Sequence, residues 1–362
     1  MNTDDQAPTT IRLDSMGGLV ASLPALLGFT PTQSLVVVAL HHSGVRSRVG
    51  AMMRADLPTD PADAHELAAV ARRRVALINP DAINLVIVAE GADPGTTTDT
   101  GTLDLPYRGT VDALSAMCGA DGIEMAQAVW TPRVAAGSPW RCYFGCRCHG
   151  EVSDPRVSQA AAHTALSGRV TFGSREEAAD ALAADPDAEH PRRRAAIDAA
   201  HAAHRAARDP WTGDPKQAAR DDLTVIRTAI GVVGRGEVLD AVTLTRVVVA
   251  LHDQTVRDVA AGFALGSDPT VDPEHAAQLW WTLTRRAPAP EVAEPATLVA
   301  VAALTRGGSA VLTMALERAV VADPTHQLSR LMSALLEQIG RPQQISGVLL
   351  EAATEAAQTL EV

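Results

Sequence analysis

Two short stretches of the chain are apolar at nearly every position, and both predict buried β-strands. Residues 34–40 read SLVVVAL and residues 83–89 read INLVIVA. Continuous runs of this kind are typical of strands that are covered on both faces. Between them, residues 45–53 are expected to form a hairpin partner, and residues 61–78 place apolar side chains at helical spacing. This alternation predicts an α/β domain with a buried mixed sheet.

The first predicted element is a helix over residues 16–27. Asp14 and Ser15 offer an N-cap, and Gly28 suits the left-handed residue that ends many helices. The remaining predictions for this domain are a polar Gly/Thr-rich loop over residues 91–103, a helix over 111–117, strands over 123–130 and 140–144, and a helix over 158–166.

From about residue 178 the pattern changes to Ala-rich segments with capping residues at helical intervals, which predicts an all-α helical domain. Helices are expected over residues 223–230 and 237–261, and a further one from Pro273. The predicted organisation is an α/β domain over residues 8–184, a linker and connecting helix over 185–222, and an all-α domain over 223–362. Opposite charges cancel in the linker, so it is expected to attract phosphate little.

Composition and charge restrict the function. Apolar residues make up 46% of the chain and aromatic residues 3%, so the core must be built from Ala, Val and Leu. The net charge of -12 opposes a general role on nucleic acid, which relies on clustered Lys and Arg. The polar, acidic start MNTDDQAPTT lacks the pattern of a secretory signal. We predict a cytoplasmic protein without a nucleic-acid or membrane partner, leaving a protein partner or a homo-oligomer open.

Three of the four cysteines fall in WRCYFGCRCHG, residues 140–150. In a reducing compartment, clustered thiols suggest metal or redox chemistry before a structural disulfide. Cys142, Cys146, Cys148 and His149 are therefore the candidate metal ligands, and zinc is the candidate ion.

The spacing of these ligands is compact for zinc, which typically takes two short chelating pairs separated by a longer span. In an extended chain, Cys148 and His149 also point to opposite faces. A complete site would need Cys118, His163 or a second chain.

Two other interpretations of the cysteines stay open. Cys142 and Cys146 could form a redox pair, with Arg141 and Arg147 lowering a thiol pKa. The thiols could instead be small buried side chains in a tight turn.

Other polar groups have structural interpretations. His201 and His204 share a helix face that we expect to be solvent-exposed. Ser34 is expected to cap a turn at the start of its strand, away from the carboxyl edge where α/β sheets bind ligands. Asp253 and Arg257 are expected on one helix as an i,i+4 ion pair, whereas a buried Arg257 would imply a polar network between helices.

Five segments resemble the mostly actinobacterial family called domain of unknown function 4192. They are LPALLGFTPTQSLVVVAL (residues 23–40), SGRVTFGSREE (167–177), VRD (256–258), LWWTLTRRAP (279–288) and ALERAVVADPTHQLSRLMSALL (315–336). The resemblance implies closely spaced cysteines in this family, with a serine where this chain has Cys142. It implies no reaction, because none is assigned to the family.

The sequence contains neither a G-x-S-x-G elbow nor an H-E-x-x-H zinc helix. We therefore predict an interaction or regulatory protein that binds a protein or small ligand through its helical domain or the interdomain groove. The alternative is an unrecognised enzyme, or a metal or redox protein, centred on the cluster Cys142, Cys146, Cys148 and His149.

Overall fold

A computed structural model describes residues 15–43, 46–60, 63–91, 105–146, 148–166, 170–209, 211–305, 309–339 and 342–362. The chain divides into two compact units, Met1–Glu177 and Ala178–Val362. The described strands of the first unit form one mixed six-stranded sheet, and the second unit is helical. The predicted fold class, an α/β domain followed by a helical domain, is confirmed.

The sheet has the strand order β2-β1-β3-β4-β5-β6. Among these six described strands, only β3 and β4 are parallel neighbours, and every other adjacent pair is antiparallel. The strands are β1 (Ser34–Ser43), β2 (Arg46–Asp56), β3 (Ala82–Val88), β4 (Glu124–Thr131), β5 (Pro139–Cys142) and β6 (His149–Glu151).

The direction of β1 places its start at the carboxyl edge of the parallel strands β3 and β4. Ser34 pairs with Val88 of β3, and Val88 pairs with Thr131 of β4. Ser34 therefore lies at the carboxyl ends of the parallel pair, and the prediction that it lies away from this edge is wrong. The hydrophobic pattern identified the strand but carries no information on its direction in the sheet. The predicted turn role is confirmed, because Ser34 Oγ donates to the Thr32 carbonyl at 2.6 Å.

The helices of the first unit are α1 (Met16–Leu27), α2 (Ala64–Ile78), α3 (Arg108–Ala120) and α4 (Gln159–Leu166), and α5 (Arg175–Ala181) crosses the boundary between the units. The predicted caps of α1 are confirmed: Ser15 Oγ accepts the Gly18 N–H at 3.0 Å, and Gly28 is left-handed at φ 87°. The apolar faces of α2 and α3 share one core cluster with the sheet, whose large members include Leu35, Leu85, Ile87, Leu114 and Trp130.

The helical unit continues with α6 (Pro191–Ala207), α7 (Pro215–Gly234), α8 (Ala241–Ala250), α9 (Gln254–Leu265), α10 (Pro273–Arg286), α11 (Ala293–Thr305), α12 (Ser309–Ala322), α13 (Gln327–Ile339) and α14 (Pro342–Leu360). Every residue of α11 from Ala293 to Leu304 is buried. It packs against α9, α10, α12, α13 and α14, so it is the central helix of this unit.

Some predicted elements have different bounds. The single helix expected over residues 237–261 is wrong, because Asp253 ends the run by capping α9: its Oδ1 accepts the N–H groups of Thr255 and Val256. The predicted linker range holds α6 and the first part of α7. Residues 92–103 of the predicted Gly/Thr-rich loop lie outside the described residues.

None of the helices in the described ranges is long and apolar enough to span a membrane.

Candidate functional site

The clustered cysteines lie in the hairpin between β5 and β6. Cys142 ends β5, His149 begins β6, and the Cys142 N–H donates to the Cys148 carbonyl at 3.0 Å. Cys142 is buried, whereas Cys146 and Cys148 are exposed, and all three are free thiols. The hairpin therefore presents two accessible thiols beside one that water does not reach.

Backbone amides point at two of the sulfurs. The Phe144 N–H donates to Cys142 Sγ at 3.3 Å, and the Cys148 N–H donates to Cys146 Sγ at 3.4 Å. Burial raises the pKa of Cys142 to about 11. The hydrogen bond from the Cys148 thiol lowers the pKa of Cys146, and the same contact raises the pKa of Cys148. Cys146 is thus the thiol of this hairpin that ionises most readily.

A metal at this hairpin would need a further ligand. Cys118 is buried in α3, where burial raises its pKa to about 11, and His163 lies on α4. Arg147, expected to lower a thiol pKa, lies outside the described residues. Within the described ranges, no three or more His, Cys, Asp or Glu side chains form a group that could hold a metal ion. Metal binding by the four predicted ligands stays a prediction.

In the helical unit, the face of α6 that carries two histidines is packed rather than solvated. His201 Nε2 lies 3.6 Å from Glu291 Oε1, and His204 Nε2 lies 3.5 Å from Asp222 Oδ2. Both imidazoles are less than a quarter exposed, so the predicted solvent-exposed face is wrong. The intervening residues are alanines, which are too small to reveal an apolar stripe in the sequence.

These contacts belong to a group that we call the histidine–glutamate cluster. Glu291 and Glu294 are only 5% and 6% exposed. Arg194 Nη1 donates to both Glu291 carboxylate oxygens, at 3.1 and 2.8 Å. The rings of His201 and His252 meet edge to face with centroids 4.8 Å apart. The cluster comprises His201, His252, Glu291, Glu294 and His326.

Glu294 is incompletely paired. Its Oε1 lies 3.1 Å from His326 Nε2, although the two atoms are not aligned as a hydrogen bond. Its Oε2 is buried without a hydrogen-bond partner in the part of the chain that the structure describes. The Ser329 N–H donates to His326 Nδ1 at 3.2 Å, so the neutral ring carries its proton on Nε2, facing Glu294.

The predicted ion pair between Asp253 and Arg257 does not form. Asp253 Oδ2 instead accepts from Arg208 Nε at 2.8 Å. Arg257 donates to Asp258 Oδ1 and lies 3.6 Å from Glu294 Oε1, across the α9–α11 contact. The other predicted outcome, a polar network between helices, is confirmed around Arg257, whose side chain is partly buried at 15% exposure.

A cavity of about 340 Å³ lies between the first turns of α6 and α8. It has three guanidinium groups in its lining and a single carboxylate, that of Asp187. We call it the basic cavity, and its polar lining residues other than Asp187 are His190, Arg192, Arg193, Thr245 and Arg286.

Two of the three arginines are fixed by hydrogen bonds. Arg193 donates to Asp187 Oδ2 at 2.7 Å and to the Arg286 carbonyl at 2.6 Å. Arg286 Nη1 donates to the Leu239 carbonyl at 3.1 Å. The Arg192 side chain makes no ion pair or hydrogen bond to any described residue. The three arginines of the lining therefore carry more positive charge than the single carboxylate of Asp187 neutralises.

Two further hydrogen-bond donors, His190 and Thr245, line the basic cavity. The Arg192 N–H donates to His190 Nδ1 at 3.1 Å, which leaves the proton of the neutral imidazole on Nε2. Thr245 is 7% exposed, and its hydroxyl has no hydrogen-bond partner among the described residues. Opposite charges balance over the whole segment, so its composition does not reveal this site. The local signal was the run Arg192-Arg193-Arg194 at the start of a helix, directly after Pro191.

Residues 17–343 match the family described as Domain of unknown function (DUF4192). The chain belongs to this family. The resemblance predicted from the sequence is thus confirmed. No curated protein and no solved structure matches the chain.

In this DUF4192 chain, the matched range includes the cysteine hairpin, the histidine–glutamate cluster and the basic cavity. The DUF4192 description assigns no reaction. The chemistry of each site must therefore be inferred from its own side chains.

Proposed function

We propose that the chain is a cytoplasmic regulatory protein that binds a small anionic ligand through its helical unit. The observation that carries this proposal is the basic cavity, with three arginines against one aspartate in a chain of net charge -12. An excess of positive charge at one concave place in an acidic protein favours an anion there.

The geometry supports binding of a carboxylate or phosphate group. The volume of about 340 Å³ suits a small metabolite. The first turns of α6 and α8 border the cavity, and helix N-termini carry partial positive charge that stabilises anions. Arg192 is free to turn toward a ligand, while Arg193 and Arg286 are already held in place.

The lining is better suited to holding a ligand than to transforming it. Its groups are guanidinium, imidazole and hydroxyl donors, and its carboxylate is already paired with Arg193. A ligand bound there would contact α6, α8 and the end of α10 together, and so would stabilise their packing. This linkage is the basis for a regulatory role.

Isothermal titration calorimetry with inorganic pyrophosphate tests the proposal. We expect binding to the wild type, a loss of about tenfold in affinity in Arg192→Ala, and stronger binding at low salt. Arg205→Ala is the matched control, because Arg205 is exposed on the same helix but does not line the cavity. Equal affinities in both variants, or no binding to the wild type, would contradict the proposal.

A second candidate function rests on the cysteine hairpin. Two sulfurs accept backbone N–H bonds from the residue two positions later, which stabilises thiolates. A metal or redox role for Cys142, Cys146, Cys148 and His149 is therefore proposed as the alternative. Native mass spectrometry of protein purified under reducing conditions tests the metal role. The apo mass together with free alkylation of the two exposed thiols, Cys146 and Cys148, would rule out a bound metal.

A further inference from the structure

The α/β unit contains a second cavity, of about 410 Å³, at the start of α3. Pro58 and Thr59, just beyond the end of β2, line one side of it, and residues 105–110 line another. Because Asp56 pairs with Ser34, and Ser34 pairs with Val88, this is the carboxyl edge of the parallel strands β3 and β4. Open α/β sheets bind ligands at this edge.

The helix end at this cavity lacks a capping side chain. Tyr107 is the N-cap residue in a left-handed conformation at φ 58°, and its side chain makes no capping bond. The N–H groups of Thr110 and Val111 bond to the Tyr107 carbonyl, whereas the Gly109 N–H has no acceptor among the described residues. A Cβ added at Gly109 would meet nothing within 4 Å, so the backbone there is open to approach.

Thr110 gives independent support for a ligand. It lines the cavity and is 0% exposed, and its Oγ1 has no hydrogen-bond partner in the described part of the chain. Buried hydroxyl groups are almost always paired, because an unpaired one has lost its hydrogen bonds to water. An unpaired hydroxyl beside an uncapped helix start is what a ligand oxygen would satisfy.

The positive charge of the cavity lining favours an anionic ligand. Arg108 is held over the Tyr143 ring at 5.5 Å and donates to the Tyr143 carbonyl at 3.1 Å, so its guanidinium is fixed beside the cavity. None of the described lining residues is acidic. A fixed positive charge, a helix N-terminus and an unpaired hydroxyl together match the phosphate group of a small molecule.

We propose that this cavity binds such a phosphate group, with Thr110 Oγ1, the Gly109 N–H and Arg108 as its contacts. The site lies in the α/β unit and shares no residue with the basic cavity, so either proposal can fail without the other.

Hydrogen–deuterium exchange with inorganic phosphate, at constant ionic strength, tests the site. We expect phosphate at ~10 mM to slow exchange over residues 105–117 in the wild type and in Thr110→Ser. Thr110→Val keeps the shape but removes the hydroxyl. It should lose about tenfold in phosphate affinity while being at least as resistant to heat as the wild type.

The matched control is Thr164→Val, because Thr164 is a buried threonine of the same unit whose hydroxyl donates to the Ala25 carbonyl. It should lower thermal stability and leave phosphate protection at residues 105–117 unchanged. No protection in the wild type, undiminished protection in Thr110→Val, or equal protection by acetate would overturn the proposal. Protection confined to residues 187–197 would place phosphate in the basic cavity alone and overturn it as well.

Discussion

At the scale of single residues, burial separates thiols that the sequence presents as equivalent. Cys142 and Cys146 are four positions apart, yet burial raises the pKa of the first and the Cys148 thiol lowers the pKa of the second. The sequence correctly located the cysteine group but could not assign an environment to each sulfur. Environment depends on which residue of the hairpin turns inward, and spacing does not determine that.

This difference predicts an order of alkylation. With limiting iodoacetamide near neutral pH, Cys146 should react first, because the thiolate is the nucleophile and Cys146 is exposed. Cys142 and Cys118 are both buried with a pKa of about 11, and should react only on unfolding. Peptide mapping by mass spectrometry measures the order. Similar rates at Cys142 and Cys146 in the folded protein would show that the hairpin opens readily.

At the scale of elements, local signals predicted several strands and the two ends of α1, but not the division of the run after residue 237 into two helices. The strands β1 and β3 and the caps Ser15 and Gly28 could be predicted, because continuous apolar runs and capping residues act locally. The division between α8 and α9 could not, since the apolar spacing continues through His252 while the Asp253 carboxylate starts a new helix. Arg208 also donates a hydrogen bond to the Asp253 carboxylate, and this tertiary contact helps to hold Asp253 at the start of α9.

The turn between α8 and α9 also predicts a pH dependence. Desolvation lowers the pKa of His252 although part of its side chain is exposed, and His201 and His326 lower it further, while Glu294 and Glu291 oppose them. Below the ordinary imidazole pKa of about 6.5, the unfolded chain therefore binds a proton that the folded protein does not. The free energy of unfolding should fall as the pH is lowered from 7 to 5.

Urea denaturation across this pH range measures the effect. His252→Gln should make the fall in stability shallower but not abolish it, because burial also lowers the pKa of His204. His65→Gln, an exposed position on α2, is the control and should leave the slope unchanged. A slope in His252→Gln equal to that of the wild type would mean that other groups carry the dependence.

At the scale of the whole molecule, each unit has its own buried core. Trp130 is fully buried in the first unit and Trp280 in the second. The change from β-branched runs to Ala-rich segments predicted two regions. The structure divides the chain between Glu177 and Ala178. Composition could not supply an exact position, because α5 resembles the Ala-rich helices that follow it.

A fragment covering residues 178–362 should therefore fold alone. We expect cooperative thermal unfolding by circular dichroism, because this unit is compact and contains its own core. It should also bind pyrophosphate with the affinity of the full chain, since every lining residue of the basic cavity belongs to it. A fragment without a cooperative transition would show that the second unit depends on the first.

The complete burial of α11 has a consequence for how this chain can evolve. From Ala293 to Leu304 no side chain faces water, and most are Ala, Val, Leu or Thr. A change that adds a methylene here has no surface to move into, so a neighbouring helix must lose equivalent volume. Substitutions in α11 are therefore expected to occur in compensating pairs, and a saturation library at these positions should retain few single variants.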